Sequence, residues 1–447
     1  MKYSPIHNTN VPALTLKVRF SQGLRQFSCR SFIFFERLTG IIINMTVLMG
    51  KHILLGVTGS IAAYKAADLA SKLTQEGAQV DVILTAAAEK FITPLTFQSV
   101  TGRRAFTDAD LWGGEAHILH VGLGHSTNLL VIAPCTADTM AKLAHGLADN
   151  LLTVTALAAA CPLVIAPAMD GDMFDAPATQ VNLSTLAQRG ARIAGPAEGH
   201  LASGLSGPGR MLEPLEILGH IRLVLGKSGA LAGKKIVVTA GGTQEALDPV
   251  RVLTNHSSGK QGYALAQAAL DLGAEVCLIS APTALSAPVG ARLVSVRTAE
   301  EMKDTVLAEA SDAEALIMAA AVADFRPKQV AENKLKKRDG IPQVELEAAP
   351  DILKTMASLK VEKKRPHILV GFAAESRDLL ENASEKLKSK ALDLIVANDI
   401  SAADAGFGAP TNRVTLLFAD GRKKSLPLMD KTEVAGIILQ SVVELLE

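Results

Sequence analysis

KHILLGVTGSIAAYKAADLASKLTQEGAQVDVIL, residues 51–84, decides the fold. Lys51–Val57 reads as a buried strand and Thr58-Gly59-Ser60 as a turn. Apolar residues at helical spacing then run from Ile61 to about Glu76, Gly77 stops the helix, and Gln79–Leu84 is the next strand. A strand–turn–helix–strand unit of this kind favours a parallel sheet. The turn sets backbone N–H groups and a hydroxyl at a helix N-terminus, which suits a phosphate. An ordinary tight turn reads the same way, and the GxGxxG dinucleotide fingerprint is absent.

The same alternation continues outward. Leu129–Ala133 is a strand ending in Pro134-Cys135-Thr136-Ala137-Asp138-Thr139, and Leu163–Ala166 is a strand ending in Pro167-Ala168-Met169-Asp170. Gly204–Gly209 is a glycine-rich segment that reads as a lid or as an exposed turn. Residues 226–233 (GKSGALAG) read as a linker, after which Lys234–Thr239 restarts the pattern and closes at Ala240-Gly241-Gly242-Thr243. Asn255–Gly262 (NHSSGKQG) puts hydroxyls, glycines and Lys260 at a helix start. It suits phosphate or a plain capping turn, and lacks the GxxxxGK[ST] spacing. Leu316–Ala320 leads to Asp324, placed to hold a magnesium ion beside phosphates or simply to cap. Lys334, Lys336, Lys337 and Arg338 follow as a basic run, and His367–Phe372 and Leu392–Ala397 are further strands. Asn412–Phe418 and Lys424–Leu428 read as an antiparallel hairpin at the sheet edge.

Length and composition bound the rest. At ~100–200 residues per domain, 447 residues hold two or three domains. Lys plus Arg and Asp plus Glu are both 45, which argues against nucleic acid or an anionic membrane as partner. The four cysteines, Cys29, Cys135, Cys161 and Cys277, form no CxxC pair; a reducing, cytoplasmic setting fits. His117 and His120 have metal-like spacing without a third ligand nearby in sequence. Residues 1–48 are basic and acid-poor. They read as a disordered extension or as sequence ahead of a start at Met45 or Met49, with a transit peptide as the alternative.

Twelve segments, among them GVTGSIAAYKAADL (56–69), VIAPCTADTMAKLAHGLADNLL (131–152), VTAGGTQEALDPVR (238–251), TNHSSGKQG (254–262), AAAVADFRP (319–327), NKLKK (333–337) and GFAAES (371–376), resemble in order the bifunctional coenzyme A biosynthesis flavoproteins, which join phosphopantothenoylcysteine decarboxylase to phosphopantothenate–cysteine ligase. The resemblance implies an α/β chain. A flavodoxin-like or Rossmann-like three-layer FMN domain (49–225) and a linker (226–233) precede a second Rossmann-like domain with a mostly parallel sheet (234–447). It implies FMN at Gly59, Ser60, Thr85, Thr136 and Ala137, and a catalytic His117. In the ligase half it implies that Asn255 holds the acyl-nucleotide, that Lys334 is catalytic, and that Asp324 stands beside Mg²⁺. Gly241, Gly242, Ser257, Ser258, Lys260, Phe372 and Ala374 then line the substrate or CTP. The implied substrates are 4′-phosphopantothenate, cysteine and CTP, and the implied assembly has trimeric decarboxylase contacts, often a dodecamer, with dimeric ligase contacts.

Two positions depart from the family pattern. PAMN reads Pro167-Ala168-Met169-Asp170, and the cysteine of the ACG segment is Ser203. In the family pattern the asparagine contacts the substrate carboxylate and the cysteine protonates the product. An ionised Asp170 would repel that carboxylate, and a hydroxyl is a far weaker acid than a thiol of pKa about 8.5. Three readings follow: a two-step enzyme in which Asp170 and Ser203 still serve the first domain's catalysis, an enzyme with ligase activity alone, or a non-catalytic FMN-binding assembly subunit.

Overall fold

A computed structural model describes residues 46–112, 118–336, 342–375, 378–399 and 408–447. The first sheet has six strands: β1 (His52–Val57), β2 (Gln79–Leu84), β3 (Ala105–Phe106), β4 (Leu129–Cys135), β5 (Leu163–Pro167) and β6 (Arg192–Ile193). Their spatial order is β3-β2-β1-β4-β5-β6 and every pairing is parallel. Both faces are buried, which is why the strands read as continuous apolar runs rather than alternations. Ile53, Leu55 and Val57 of β1 pack into one apolar cluster, and Leu54 packs into another on the opposite face. Helix α1 (Ala63–Gln75) covers the first face with Ala63, Ala66, Leu69, Ala70 and Leu73, the spacing of one helical stripe. Gly77, at φ 90°, then turns the chain into β2.

Polar residues line the carboxyl ends of these strands. Helix α2 (Ala137–His145) follows β4 and the short helix α3 (Gly171–Asp175) follows β5. The glycine-rich segment forms an antiparallel hairpin, β7 (Ala197–His200) with β8 (Ser206–Arg210), and α4 (Pro214–Gly226) leads away from it.

A second, eight-stranded sheet contains β9 (Lys235–Ala240), β10 (Glu275–Ser280), β11 (Arg292–Ser295), β12 (Ala315–Met318), β13 (Ile368–Glu375), β14 (Leu394–Asp399), β15 (Val414–Phe418) and β16 (Lys423–Ser425). The order is β11-β10-β9-β12-β13-β14-β15-β16. Pairings are parallel as far as β14 and antiparallel for β14–β15 and β15–β16, the edge hairpin expected from sequence. Apolar clusters again fill both faces. Helix α5 (Lys260–Asp271) covers one face and α6 (Leu379–Ser389) the other. Among the described residues no helix is long and apolar enough to cross a membrane.

Candidate functional site

In an open parallel sheet, ligands sit beyond the carboxyl ends of the strands, where the strand order reverses. The first sheet reverses between β1 and β4. Gly59 and Ser60 follow β1, Thr85 follows β2, and Thr136 and Ala137 follow β4, so the fold gathers all five at one edge. Thr58 fastens the crevice. Its hydroxyl donates to the Pro134 carbonyl (2.7 Å) and accepts from the Thr136 N–H (3.1 Å). The Thr85 N–H donates to the Val57 carbonyl (3.1 Å), and its hydroxyl accepts from the Ala88 N–H (3.3 Å). A Cβ on Gly59 would lie 2.4 Å from that of Ala87, so only glycine lets the β1 turn meet the β2 turn. No side chain caps the start of α1. An uncapped 13-residue helix with hydroxyls around its start suits a phosphate group.

Asp170 follows β5 at the same edge, and the β7–β8 hairpin whose turn holds Ser203 docks beside it. Met169 donates its N–H to the Gly209 carbonyl of β8 (3.0 Å), and Gly209 lies so close that a Cβ there would sit 2.3 Å from the Met169 carbonyl oxygen. One Asp170 oxygen accepts from the Asp172 N–H (3.2 Å), while Oδ2 is buried with no partner. Ser203 is exposed in the turn of the β7–β8 hairpin. His117 lies outside the described residues.

The second sheet reverses between β9 and β12. Gly241 and Gly242 follow β9, and Gly242 pairs across the gap with Ala321. Gly241 has φ 80°, and a Cβ on it would lie 2.8 Å from the Ala281 carbonyl oxygen. Asn255 donates to the carbonyls of Ala321 (3.4 Å) and Val322 (3.1 Å), which draws the loop before α5 against the loop after β12. Ser257 and Ser258 are half-buried at the approach to α5. Gly259, at φ 75°, begins that helix without a side-chain cap. Exposed Lys260 donates to the Gly408 carbonyl (3.3 Å). Asp324 is exposed beyond β12, and Phe372 and Ala374 lie on β13.

Lys334 is exposed beside a cavity of about 510 Å³ lined by residues 331–336 and Pro342; Lys337 lies outside the described residues. Asp248 anchors this loop. It is buried and accepts from the N–H groups of Val250 (2.8 Å), Arg251 (2.8 Å) and Leu335 (3.1 Å) and from the Arg251 guanidinium. Desolvation alone would raise the Asp248 carboxyl, but the donors from Val250, Arg251 and Leu335 outweigh it and hold the group far below the usual carboxylate range.

Sequence reasoning missed Asp248, Thr58 and two fully buried threonines. Thr239 accepts from the Ala320 N–H (3.1 Å) and Thr243 from the Ala323 N–H (2.9 Å), so both buttress the second crevice. It also missed Lys386 of α6, whose amine donates to the Phe372 carbonyl (3.0 Å). A threonine at the last position of a buried strand, or in the turn after it, was the available signal.

Comparison with known proteins adds to this geometry. Residues 42–226 match the Flavoprotein family and residues 231–446 match the DNA/pantothenate metabolism flavoprotein C-terminal domain. The Coenzyme A biosynthesis bifunctional protein CoaBC of Bacillus subtilis (strain 168) is 47% identical over 402 residues, covering 89% of this chain and 98% of its own. The chain belongs to the bifunctional coenzyme A biosynthesis proteins. The member from Vibrio vulnificus (strain CMCP6) is 45% identical over 400 residues, covering 89% of this chain and 98% of its own. A crystal structure of the C-terminal domain of such a CoaBC protein aligns with TM-score 0.42 and 42% identity, over 49% of this chain and 98% of that one. As a family member the chain is a bifunctional enzyme with decarboxylase and ligase activities, and its first half is a flavoprotein domain.

Proposed function

We propose that the second half joins cysteine to 4′-phosphopantothenate at the expense of CTP, and that the FMN-dependent first half decarboxylates the resulting 4′-phosphopantothenoylcysteine. What carries this reading is the duplicated construction. Each half has an uncapped helix N-terminus at a strand-order reversal, next to a turn where only glycine fits. Each would take a phosphate there.

In the ligase half a carboxylate is too poor an electrophile for direct attack by an amine. It attacks the α-phosphorus of CTP, pyrophosphate leaves, and the cysteine amine then displaces CMP from the acyl-cytidylate to form the amide. Asn255 holds the acyl-nucleotide, and Lys334 offsets the negative charge that develops as pyrophosphate or CMP leaves. Gly241, Gly242, Ser257, Ser258 and Lys260 surround substrate or nucleotide phosphates, and Phe372 and Ala374 on β13 also line the substrate or nucleotide. Asp324 would hold Mg²⁺ together with phosphate oxygens.

In the first half, Gly59, Ser60, Thr85, Thr136 and Ala137 would hold FMN. When bound, FMN supplies the thiol oxidation that gives the departing carboxylate an electron sink. His117 acts as the base at the substrate, and Asp170 and Ser203 border the departing carboxylate and the reprotonated sulfur.

The unpartnered Asp170 oxygen and the hydroxyl at Ser203 favour a second reading, ligase activity alone. Purified protein given 4′-phosphopantothenate, CTP, Mg²⁺ and cysteine separates the two. Formation of 4′-phosphopantetheine with CO₂ supports the two-step reading, accumulation of phosphopantothenoylcysteine supports ligase alone, and absence of any amide product sinks both.

A further inference from the structure

Helices α1 and α5 begin at the two candidate phosphate turns, and their far ends meet at one side chain. Glu76 is the C-cap residue of α1 and Asp271 is the last residue of α5. Arg222, in the middle of α4, donates through Nε to Asp271 Oδ1 (3.0 Å), through Nη2 to Asp271 Oδ2, and through Nη1 to Glu76 Oε2 (3.3 Å). The guanidinium and both carboxylates are largely buried, with 20%, 13% and 27% of the Arg222, Asp271 and Glu76 side chains exposed. Gln267 supports the grip by donating to Asp271 Oδ1 (2.9 Å). Among the described residues, Arg222–Asp271 is the one ion pair that crosses between the halves.

The chain around this contact is packed rather than slung. A Cβ on Gly226 would lie 2.6 Å from the Asp271 carbonyl oxygen, and one on Gly229 would lie 2.4 Å from that of Leu272. Leu231 donates its N–H to the same Leu272 carbonyl (2.8 Å). Farther along α4, a Cβ on Gly219 would press on Val289 at 2.7 Å. Glycines here permit close approach of backbone to backbone, where a flexible tether would use them for freedom.

We propose that Arg222 is the positioning residue that couples the two halves: it fastens the far ends of both site-bearing helices to α4, so that the halves open and unfold as one body. An arginine suits this place because its planar fork grips one carboxylate with two donors and keeps a third for another. Binding energy delivered to either half then resists unfolding of both.

The test uses the full-length flavin-loaded protein. Arg222→Met keeps bulk and removes the fork. Tryptic cleavage after Lys227 and Lys234 should accelerate roughly tenfold, while ligation and flavin absorbance stay at wild-type levels. In the wild type, CTP with Mg²⁺ should raise the temperature of flavin release; in Arg222→Met that transfer should vanish while the ligase half is still stabilised. A merely local structural role would lower both transitions and leave the transfer intact. Cleavage within about twofold of wild type, or persistent transfer, overturns the proposal. Should Arg222→Met not accumulate as folded protein, Asp271→Asn removes the cross-half partner and must show the same cleavage change. The cleavage readout does not depend on CTP being the nucleotide, so failure of the proposed ligase chemistry is distinguishable from failure of the coupling.

Discussion

Asp248 accepts from five N–H donors on three residues and ties Leu335, next to Lys334, to the turn at residues 248–251. Asp248→Asn turns one acceptor oxygen into an amide donor facing those donors. Ligation kcat/KM is expected to fall on the order of tenfold to a hundredfold through misplacement of Lys334, with flavin binding unchanged; steady-state kinetics and flavin absorbance check both. Because the native carboxyl titrates below its ordinary value, this anchoring is present above the unfolded pKa and is lost only as pH falls through the lower folded one. Lys334 should therefore stay in place throughout the neutral and mildly acidic range. Ser203 offers the complementary gain. Ser203→Cys restores an acid of pKa about 8.5, and decarboxylation should accelerate by about 10²-fold with ligation unaffected. No change in the steady-state formation of 4′-phosphopantetheine would mean that Ser203 is not at the reacting sulfur. Asp248 was not legible in the sequence because Leu335 lies 87 positions away, and the partners of Thr58 and Thr243 are as remote. Gly59 and Gly241 were legible because a tight turn after a buried strand announces its glycine locally.

At the scale of elements, both strand–turn–helix units were readable from periodicity, and the β7–β8 hairpin was not. Its strands are short and glycine-rich, so alternation is too weak to mark them, and their stability comes from docking on Met169 rather than from their own side chains. Gly209 makes that docking possible at φ 130° with the Met169 carbonyl 2.3 Å from any added Cβ. Gly209→Ala is expected to lift the hairpin and cost about 2 kcal/mol. It should abolish decarboxylation while sparing ligation, which parallel assays of the two reactions would report. The opposite end of the first sheet carries a charged brace. Asp81 on β2 accepts from His52 Nε2 (2.5 Å) and from the Arg103 guanidinium (2.6 and 2.9 Å). Desolvation opposes ionisation of Asp81, yet the bonds from His52 and Arg103 bring its carboxyl down to about 2, and the bond to Asp81 raises His52. The raised histidine contributes stability that is full below its unfolded pKa and lost as pH rises through the folded one. The depressed carboxyl contributes stability that is full above its unfolded pKa of about 4 and lost as pH falls toward 2. His52→Gln should therefore destabilise by about 1–2 kcal/mol at pH 5.5 and by less at pH 8.5 in urea titrations.

Across the whole molecule, two parallel sheets, their order of appearance and the antiparallel edge follow from apolar runs punctuated by glycine. What the sequence could not disclose is how the two halves meet, because residues 226–233 have the composition of a tether. The seam depends on shape. Glycines there lie flat on the end of α5, and Arg222 is shared between two carboxylates 195 positions apart (Glu76 and Asp271). One guanidinium between two carboxylates leaves a net negative charge in a half-buried place, and Glu76 bears that cost. Burial raises its carboxyl above the usual range and Asp271 raises it further, while Arg222 only partly opposes them. For an acid whose folded pKa is raised, the favourable contribution is complete below the unfolded pKa and is lost as pH rises through the folded value. Ionised Glu76 thus weakens the native state at neutral pH. Glu76→Gln keeps a carbonyl oxygen to accept from Arg222 Nη1 and removes the surplus charge. The variant should be more stable than wild type by several tenths of a kcal/mol to about 1 kcal/mol at pH 8 and indistinguishable from it near pH 4. Urea midpoints at the two pH values decide the matter. A variant destabilised at pH 8 would mean that ionised Glu76 strengthens the grip of Arg222 and does not weaken the native state.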